Sequence, residues 1–179
     1  MFADGSTFYA SIEYTPYWES GQVRGIFIQL IDITERKRSE LAVQATNQRL
    51  QEALRQAQSL YNEAPCGYHS INADGVYVDV NDTELRWLGY SRDEVVGKLH
   101  ARDFLSVRDS GQVYEDRMQR LQRDGFVEPV QYELRRRDGS TIDVLLSSTA
   151  VRDSDGRFLR SNTTVVDITQ RKAAEQALQ

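Results

Sequence analysis

The alternation of apolar and polar residues divides the first part of the chain into two strand-like stretches and one helix-like stretch. Residues 7–14 and 23–33 are rich in aromatic and β-branched side chains, and Ser20–Gly21 lies between them, so the pattern predicts two strands joined by a turn. Neither glycine nor proline occurs from Ile26 to Ala64, and the residues beyond Thr34 favour a helix with Thr34 as its N-cap.

Apolar residues within this helix recur with the spacing of a heptad repeat. Alternating steps of three and four residues predict a modest parallel coiled coil with a seam of Val43, Asn47, Leu50, Leu54, Ala57 and Tyr61. A polar residue on a seam favours the parallel two-stranded register, because its amide is left unpaired in the other arrangements. The alternative interpretation is a single amphipathic helix that lies on its own domain.

Short strands and short helices are predicted beyond Pro65, which ends the long helix. Residues 67–71 and 76–80 have strand character on either side of a turn at Asn72–Gly75. The helix signals that follow are Asn81 or Asp82 as the cap of a helix that ends at Gly89, a capping box at Ser91–Glu94, and a helix over residues 110–124 with Val113, Met118 and Leu121 on its apolar side.

Three further strands complete the pattern. They cover residues 127–137, 141–151 and 158–168, with turns at Asp138–Gly139 and Asp155–Gly156. On the middle strand alternate residues fall on one face, as in a half-buried antiparallel strand, namely Ile142, Val144, Leu146, Ser148 and Ala150.

Two short sequences occur twice in the chain. Asp4–Thr7 recurs as Asp138–Thr141, and Asp32–Glu40 (DITERKRSE) is similar to Asp167–Glu175 (DITQRKAAE). The two pairs have nearly the same offset along the chain, which indicates an internal repeat.

A set of motifs between residues 81 and 169 identifies a family. The motifs are Asn81, Trp87–Ser91, Glu94, Gly97, Asp138–Gly139 and Asp167–Thr169, and together they resemble PAS sensor domains. The resemblance implies an α+β fold, a five-stranded antiparallel sheet with short helices on one face. It also implies four segments, which are the terminal strands of an incomplete first PAS domain at 1–34, a linker helix at 35–62, a complete PAS domain at 63–169 and the start of an outgoing helix at 170–179.

The same resemblance suggests a role. The chain is similar to a tandem-PAS piece of a bacterial signal-transduction protein such as a sensor histidine kinase or a diguanylate cyclase. Such a module binds a small molecule or senses a cue, and relays it through flanking helices to an output domain outside this chain. The expected relay residues are Asp32, Thr34, Asp167 and Thr169, although their role could be only to cap the helices that follow. The alternative function is a ligand-free PAS module for dimerisation and spacing.

Composition narrows the class of protein. The chain has 179 residues, a net charge of −5 and a pI of about 5.1, and it contains no basic block of the kind that binds nucleic acid. Cys66 is the only cysteine, which excludes an internal disulfide and fits a reducing compartment. No apolar run approaches the length of a membrane span. We therefore expect a cytoplasmic protein that, through its coiled coil, forms a homodimer.

Neither catalysis nor a bound cofactor is expected. The sequence has no nucleophile–base–orienter set and no phosphate-binding glycine loop, which argues against an enzyme. Flavin-binding relatives of the family have a reactive cysteine where this chain has His100, and haem-binding relatives have a histidine on the helix at 110–124, which has none here. Cys66 and His69 could supply only two of the four ligands that a structural zinc site needs. Flavin, haem and metal are all unexpected, whereas an unknown small-molecule ligand fits the family.

Candidate residues for such a ligand pocket come from strands and helices alike. Tyr68 and His69 point to opposite sides of one strand, so only one of them can face a cavity. The full candidate set is Tyr68, His69, Trp87, Tyr90, His100, Ser148 and Asn162. The alternative is that the aromatic side chains simply fill the core and that Asn81 only caps a helix.

Overall fold

The predicted hairpin and most of the long helix lie in the first of two compact units, Met1–Gln56 and Ala57–Gln179. The structure is a computed structural model, and it describes residues 8–106 and 111–177. Strand β1 (Ala10–Glu19) pairs antiparallel with strand β2 (Gln22–Asp32), and helix α1 (Thr34–Asn62) follows.

The hairpin extends further than its sequence pattern predicts. Ser20 and Gly21 both have positive φ, 48° and 79°, as a two-residue type I′ turn requires. Strand β1 ends at Glu19, and not at Tyr14, because Pro16 does not interrupt it. Both strands of a two-stranded sheet are edges, where the missing N–H of proline is tolerated.

Large apolar side chains cover the surface of this first unit. Trp18, Phe27 and Ile28 are 63%, 64% and 64% exposed. The predicted seam residues Leu50 and Leu54 of α1 are exposed as well. An apolar surface of this kind marks a site of interaction.

Five strands of the second unit form one antiparallel sheet in the order β4-β3-β7-β6-β5. They are β3 (Gly67–Ile71), β4 (Tyr77–Val80), β5 (Phe126–Arg135), β6 (Thr141–Arg152) and β7 (Phe158–Asp167). The predicted α+β fold with a five-stranded antiparallel sheet is confirmed.

The helices between β4 and β5 pack on one face of the sheet. They are α2 (Asp82–Leu88), α3 (Arg92–Val95), a 3-10 helix at Ala101–Phe104 and α4 (Gln112–Asp124). Helix α5 (Thr169–Ala177) follows β7 and has no buried residue. The predicted start of α4 at residue 110 falls outside the described residues. The prediction that Val113 lies on its apolar side is wrong, since that side chain is exposed. The spacing of Tyr114, Met118 and Leu121 defines the face that packs on the core.

The core lies between these helices and one face of the sheet. On β6, Ile142, Val144 and Ser148 are buried and Leu146 is half-buried, which confirms the predicted alternation. The same alternation on β7 buries Ser161, Thr163 and Val165 and exposes Arg160, Asn162 and Val166. Each strand therefore contributes one set of side chains to the core and another to the outer face.

Candidate ligand cavity and signal junctions

A small cavity lies between the inner face of the sheet and helix α4. Its volume is about 60 Å³, which corresponds to roughly two water molecules. Its apolar lining includes Ile71, Leu105, Met118, Leu121, Leu134 and Leu146, and its polar lining is His69, Tyr77, Tyr114, Arg117, Tyr132, Ser148 and Thr163. Small size and a few convergent polar groups suit a ligand of a few heavy atoms.

Hydroxyl groups connect three strands along one wall of the cavity. The Ser148 Oγ atom lies 2.9 Å from Thr163 Oγ1, which in turn lies 3.2 Å from Ser161 Oγ. The Ser161 hydroxyl also accepts a hydrogen bond of 3.2 Å from the backbone N–H of Ile71. The polar groups of β3, β6 and β7 therefore form one hydrogen-bonded network.

A buried carboxylate lies behind this wall. Glu84 is fully buried, and His69 Nδ1 lies 2.7 Å and 3.0 Å from its two carboxylate oxygens. The Tyr77 hydroxyl donates a further hydrogen bond of 3.3 Å to Glu84, and burial together with this carboxylate raises the pKa of Tyr77 well above its ordinary value. The side chain of Glu84 packs tightly, since a Cβ added at Gly67 would lie 3.0 Å from its Oε2 atom.

Helix α4 brings two polar side chains to the opposite wall. Tyr114 and Arg117 are three residues apart, so they share one side of the helix. The Tyr114 Oη and Arg117 Nη1 atoms are buried without a hydrogen-bond partner in the described part of the chain. The Arg117 guanidinium lies over the ring of Tyr132, 4.6 Å from its centroid. Burial raises the pKa of Tyr114 to about 12, so its hydroxyl keeps the proton that it can donate.

Of the predicted pocket residues, the structure brings His69 and Ser148 to the cavity. Tyr68 and His69 do point to opposite sides of β3, with His69 buried. Tyr68 and Asn162 lie on the outer face of the sheet instead, where they line an open groove of about 650 Å³ that His69 and Ser148 also line. Asn162 was expected inside, but its neighbours Ser161 and Thr163 take the inward positions of the alternating strand.

The other three predicted pocket residues also lie away from this cavity. Tyr90 packs edge-on against Phe104, with ring centroids 5.4 Å apart, and carries the Arg137 guanidinium on its other side. Trp87 packs against the core beside a shallow depression at the end of α2. The His100 Nδ1 atom lies 3.1 Å from the Asp74 carbonyl oxygen, which can only accept a hydrogen bond from it, beside the β3–β4 turn. These three residues lie on or beside the short helices, and none of them lines the cavity.

Tyr61 and Tyr68 lie together on the outer face. Their rings are stacked with centroids 5.9 Å apart, and the Tyr61 hydroxyl donates a hydrogen bond of 3.3 Å to the Tyr68 carbonyl. Partial burial and the nearby Asp79 carboxylate raise the pKa of Tyr61. Tyr61 therefore packs on the sheet of its own unit, whereas the predicted seam residues Leu50 and Leu54 remain exposed.

Asn81 ties the end of helix α1 to the sheet and to helix α2. Its side-chain oxygen accepts from the backbone N–H groups of Tyr68 and Glu84, at 3.0 Å and 3.1 Å. Its amide nitrogen donates to the carbonyls of Tyr61 and Cys66, at 2.8 Å and 3.0 Å. One fully buried side chain thus caps α2, holds β3 and satisfies a carbonyl at the end of α1.

The two copies of the repeated sequence form the same strand-to-helix junction. In the second copy, the Thr169 N–H donates to Asp167 Oδ1 at 2.8 Å, and the Asp143 N–H donates to Thr169 Oγ1 at 3.2 Å. In the first copy, the corresponding bonds run from the Thr34 N–H to Asp32 Oδ1 and from the Tyr9 N–H to Thr34 Oγ1, each at 2.9 Å. The hydrogen bonds to Thr34 lower the pKa of Asp32.

The repeat continues through the hairpins that precede the junctions. β1 pairs with β2 from Ala10↔Asp32, and β6 pairs with β7 through Val144↔Asp167. Both pairs also have an irregularity at the corresponding position, between Tyr17 and Trp18 in the first hairpin and between Val151 and Arg152 in the second. The sequence repeat is therefore a repeat of register, of bulge and of the hydrogen bonds at the junction.

The junctions differ in one contact of the outgoing helix. Lys172 forms an ion pair with the Asp143 carboxylate on β6, which fastens α5 to the sheet. The corresponding residues of the first junction are Lys37 and Tyr9, and there Lys37 pairs with Glu40 within the helix, at 2.9 Å. Only the second junction therefore has an ion pair between helix and strand at this position.

Several polar residues of the cavity lining were not predicted from the sequence, namely Tyr77, Tyr114, Arg117 and Tyr132. The buried Glu84 behind the wall was not predicted either. Tyr114 and Arg117 have a signal in retrospect, because they share a helix face with Leu121. The charge of Arg117 would nonetheless assign it to the solvent side of the helix. A glutamate such as Glu84 is rarely buried without a partner, and only the fold shows that His69 is that partner.

Within the described ranges, no helix is long and apolar enough to cross a membrane. The same residues include no group of three or more histidine, cysteine, aspartate or glutamate side chains that could hold a metal ion.

Comparison with known proteins identifies relatives of the second unit. A family model described as PAS domain matches residues 65–170. Phosphoserine phosphatase RsbP from Bacillus subtilis (strain 168) is 30% identical over 95 residues, which is 52% of this chain and 23% of that protein. The chain thus spans about a quarter of the length of this relative.

Solved structures support the fold. The PAS domain of an HTR-like protein from Haloarcula marismortui is 23% identical, with a TM-score of 0.60, and the match covers 70% of this chain and 99% of that one. A domain of a sensory box sensor histidine kinase/response regulator from Geobacter sulfurreducens is 26% identical, with a TM-score of 0.51, and the match covers 66% and 96%.

Proposed function

This chain belongs to the PAS domain family of sensory signalling modules, and on that basis we propose that its complete domain relays the state of its cavity to helix α5. PAS domains commonly occur in multidomain signalling proteins, where the helix that follows the domain connects it to the next one. They also commonly dimerise. The proposed role is non-catalytic. A small molecule occupies the cavity, and its presence changes the strands that end at the junction.

One observation carries this proposal, which is that the strands lining the cavity also form the junction. Thr163 lines the cavity from β7, and Asp167 at the end of the same strand accepts from the N–H of Thr169. Ser148 lines the cavity from β6, and the backbone N–H of Asp143 on that strand donates to the Thr169 hydroxyl. A shift of β6 against β7 therefore changes two hydrogen bonds at the start of α5.

The repeated junction extends the proposal to the incoming side. We take residues 1–34, described from residue 8, as the last strands of a preceding PAS domain and residues 35–62 as the helix that links the two. The common register, bulge and junction hydrogen bonds support this assignment. Asn81 then receives the signal, because it bonds the end of this helix to β3 and α2.

A parallel homodimer completes the proposed relay. Val43, Leu50 and Leu54 expose apolar side chains that a second copy would bury, and the Asn47 side chains would meet between the two helices. The output domain would follow α5. A sensor histidine kinase is one such output, by similarity to the Geobacter sulfurreducens domain.

The proposed ligand is neither haem nor flavin. A cavity of about 60 Å³ is far below the ~300–1,000 Å³ of pockets that hold drug-sized molecules. The same small volume favours a second candidate function, a PAS module without a ligand that dimerises and spaces its neighbours. The two functions differ in whether the cavity and the junction are coupled.

A double-mutant cycle tests that coupling. Ser148→Val fills the cavity with a β-branched side chain that suits a strand, and Thr169→Val removes the hydroxyl that binds Asp143. We expect their effects on the free energy of unfolding to be non-additive by more than about 0.5 kcal/mol. Ser147→Val, on the outer face of the same strand, should be additive with Thr169→Val. If the effects of Ser148→Val and Thr169→Val are additive as well, the cavity and the junction are not coupled, and the result favours the spacer function.

A further inference from the structure

Helix α4 brings two buried polar atoms that lack hydrogen-bond partners among the described residues to one wall of the cavity. Buried polar atoms in folded proteins are nearly always hydrogen-bonded, and an exception calls for a missing water, ion or ligand. In the described part of the chain, Tyr114 Oη and Arg117 Nη1 are such exceptions, and both side chains line the same cavity. Something that accepts hydrogen bonds is therefore missing from this wall.

The charge of Arg117 narrows the chemistry of the missing group. A guanidinium is always protonated and only donates, and burial of its nitrogen is unfavourable unless an acceptor lies opposite. The ring of Tyr132 stabilises the cation from one face but accepts no hydrogen bond from Nη1. A carboxylate is the strongest and geometrically best partner for a guanidinium, and its second oxygen could accept from a tyrosine hydroxyl.

The remaining walls limit the size and polarity of the rest of the ligand. Leu105, Leu121 and Leu134 are buried apolar residues of this lining. The volume of about 60 Å³ leaves room for roughly two or three carbons, including the carbon of the charged group. An apolar tail would pack on these leucines.

We infer that the ligand of this PAS cavity is a short-chain monocarboxylate, of the size of acetate or propionate, whose carboxylate is held by Arg117 and Tyr114. This inference rests on the proposed sensory function and names the class of ligand at the same site. Arg117 supplies the charge, Tyr114 the second donor, and the Ser148–Thr163 pair forms the strand wall through which occupancy reaches β6 and β7.

Calorimetric titration of the whole chain with matched ligands tests the inference. Acetate and propionate are compared with acetamide and propionamide, which have nearly the same shape without the charge, and with hexanoate, which is too long for the cavity. Sodium chloride keeps the ionic strength equal. We expect saturable binding of acetate or propionate, and binding of the amides and of hexanoate weaker by about tenfold or more.

Variants of α4 identify the binding group. Arg117→Gln should weaken acetate binding about tenfold or more, whereas Arg120→Gln, the same change at an exposed arginine of the same helix, should leave it unchanged. Tyr114→Phe should weaken it less, because it removes a neutral donor. Arg117→Lys keeps the charge and should retain part of the acetate binding, so it replaces Arg117→Gln if that variant does not fold. The comparison of acetate with acetamide needs no variant at all.

Three outcomes would overturn the inference. They are equal binding of acetate and acetamide, unchanged acetate binding by folded Arg117→Gln, and no binding of any carboxylate, in which case ordered water satisfies Tyr114 and Arg117. None of these contradicts the relay function if the Ser148→Val and Thr169→Val cycle is non-additive. Conversely, an additive cycle with Arg117-dependent acetate binding supports the ligand class and contradicts the relay.

Discussion

At the scale of single residues, the domain depends on polar side chains that use all of their hydrogen-bonding capacity. Asn81 is the clearest case, because its oxygen accepts twice and its nitrogen donates twice while the side chain is fully buried. No aspartate could replace it, since a carboxylate would face the Tyr61 and Cys66 carbonyls without a donor. The residue is thus both a helix cap and a connection between segments.

Replacement of Asn81 by alanine should therefore be severe. It leaves the N–H groups of Tyr68 and Glu84 and two carbonyls without partners, at about 1–3 kcal/mol for each buried group that water does not reach. We expect a loss of at least about 2 kcal/mol in the free energy of unfolding, measured by urea denaturation. Asn162→Ala on the exposed outer face should change it by less than about 0.5 kcal/mol. Equal effects of the two substitutions would contradict the assigned role of Asn81.

The buried Tyr77 predicts loss of stability at alkaline pH. Burial and Glu84 raise the pKa of Tyr77 well above 10.0, so the folded state keeps a proton that the unfolded chain loses above about pH 10. Its contribution is complete below that pH and is lost as the pH rises. Above about pH 10, the free energy of unfolding of the Tyr77→Phe variant should fall less steeply with pH than that of the unmodified protein. The difference between the two slopes should be about 1 kcal/mol per pH unit. Tyr14→Phe, at an exposed tyrosine, should keep the original slope, and a Tyr77→Phe slope equal to it would contradict the account.

The sequence predicted part of the cavity, and the reasons for the misses are physical. The period-two alternation of strands correctly placed His69 and Ser148 inside, and the same rule should have placed Asn162 outside. Short helices have no such rule, so the positions of Trp87 and Tyr90 depended on packing that only the fold determines. Arg117 was missed because an arginine on an amphipathic helix ordinarily faces solvent.

At the scale of elements, the second junction holds its helix more firmly than the first. The sequence pattern gave the repeat and the strands of the main sheet to within two residues, because each strand ends in strong turn signals. It did not give the ion pair between Lys172 and Asp143, since these residues lie on different elements and meet only when β6 and β7 pair. This contact distinguishes α5 from α1.

Removal of this ion pair should loosen α5 without unfolding the domain. Lys172→Met keeps the length of the side chain but removes its charge, and the pair, whose side chains are 29% and 28% exposed, contributes about 1 kcal/mol. We expect lower NMR order parameters for Ala173 and Ala174, with the rest of the domain unchanged. Lys37→Met removes the corresponding lysine of the first junction and should leave α5 unaffected. Unchanged order parameters in Lys172→Met would show that the helix cap alone holds α5.

At the scale of the whole molecule, the proposed relay requires two chains. The exposed apolar residues of α1 are suited to pair with a second copy, and burial of each is worth roughly 1.5–3 kcal/mol. A monomer would leave both the seam and the polar Asn47 in water, where neither contributes to a defined register.

Charges on the seam should separate the dimer. Leu50→Glu with Leu54→Glu would bury like charges against each other, so we expect monomers by light scattering at micromolar concentration, with an intact PAS domain. Gln48→Glu with Gln56→Glu adds the same charge off the seam and should remain dimeric. A dimeric seam variant would mean that another surface holds the two chains together, and a monomeric unmodified protein would contradict the coiled coil itself.

The central claim is that the cavity and the second junction respond together, and amide hydrogen exchange measures this most directly. The amides of Asp143 and Thr169 report on the two hydrogen bonds of the junction. Ser148→Val, which fills the cavity, should change their exchange rates by several fold or more, whereas Ser147→Val on the outer face of the same strand should leave them unchanged. Equal rates in the unmodified protein and in both variants, or equal changes in the two variants, would contradict the claim.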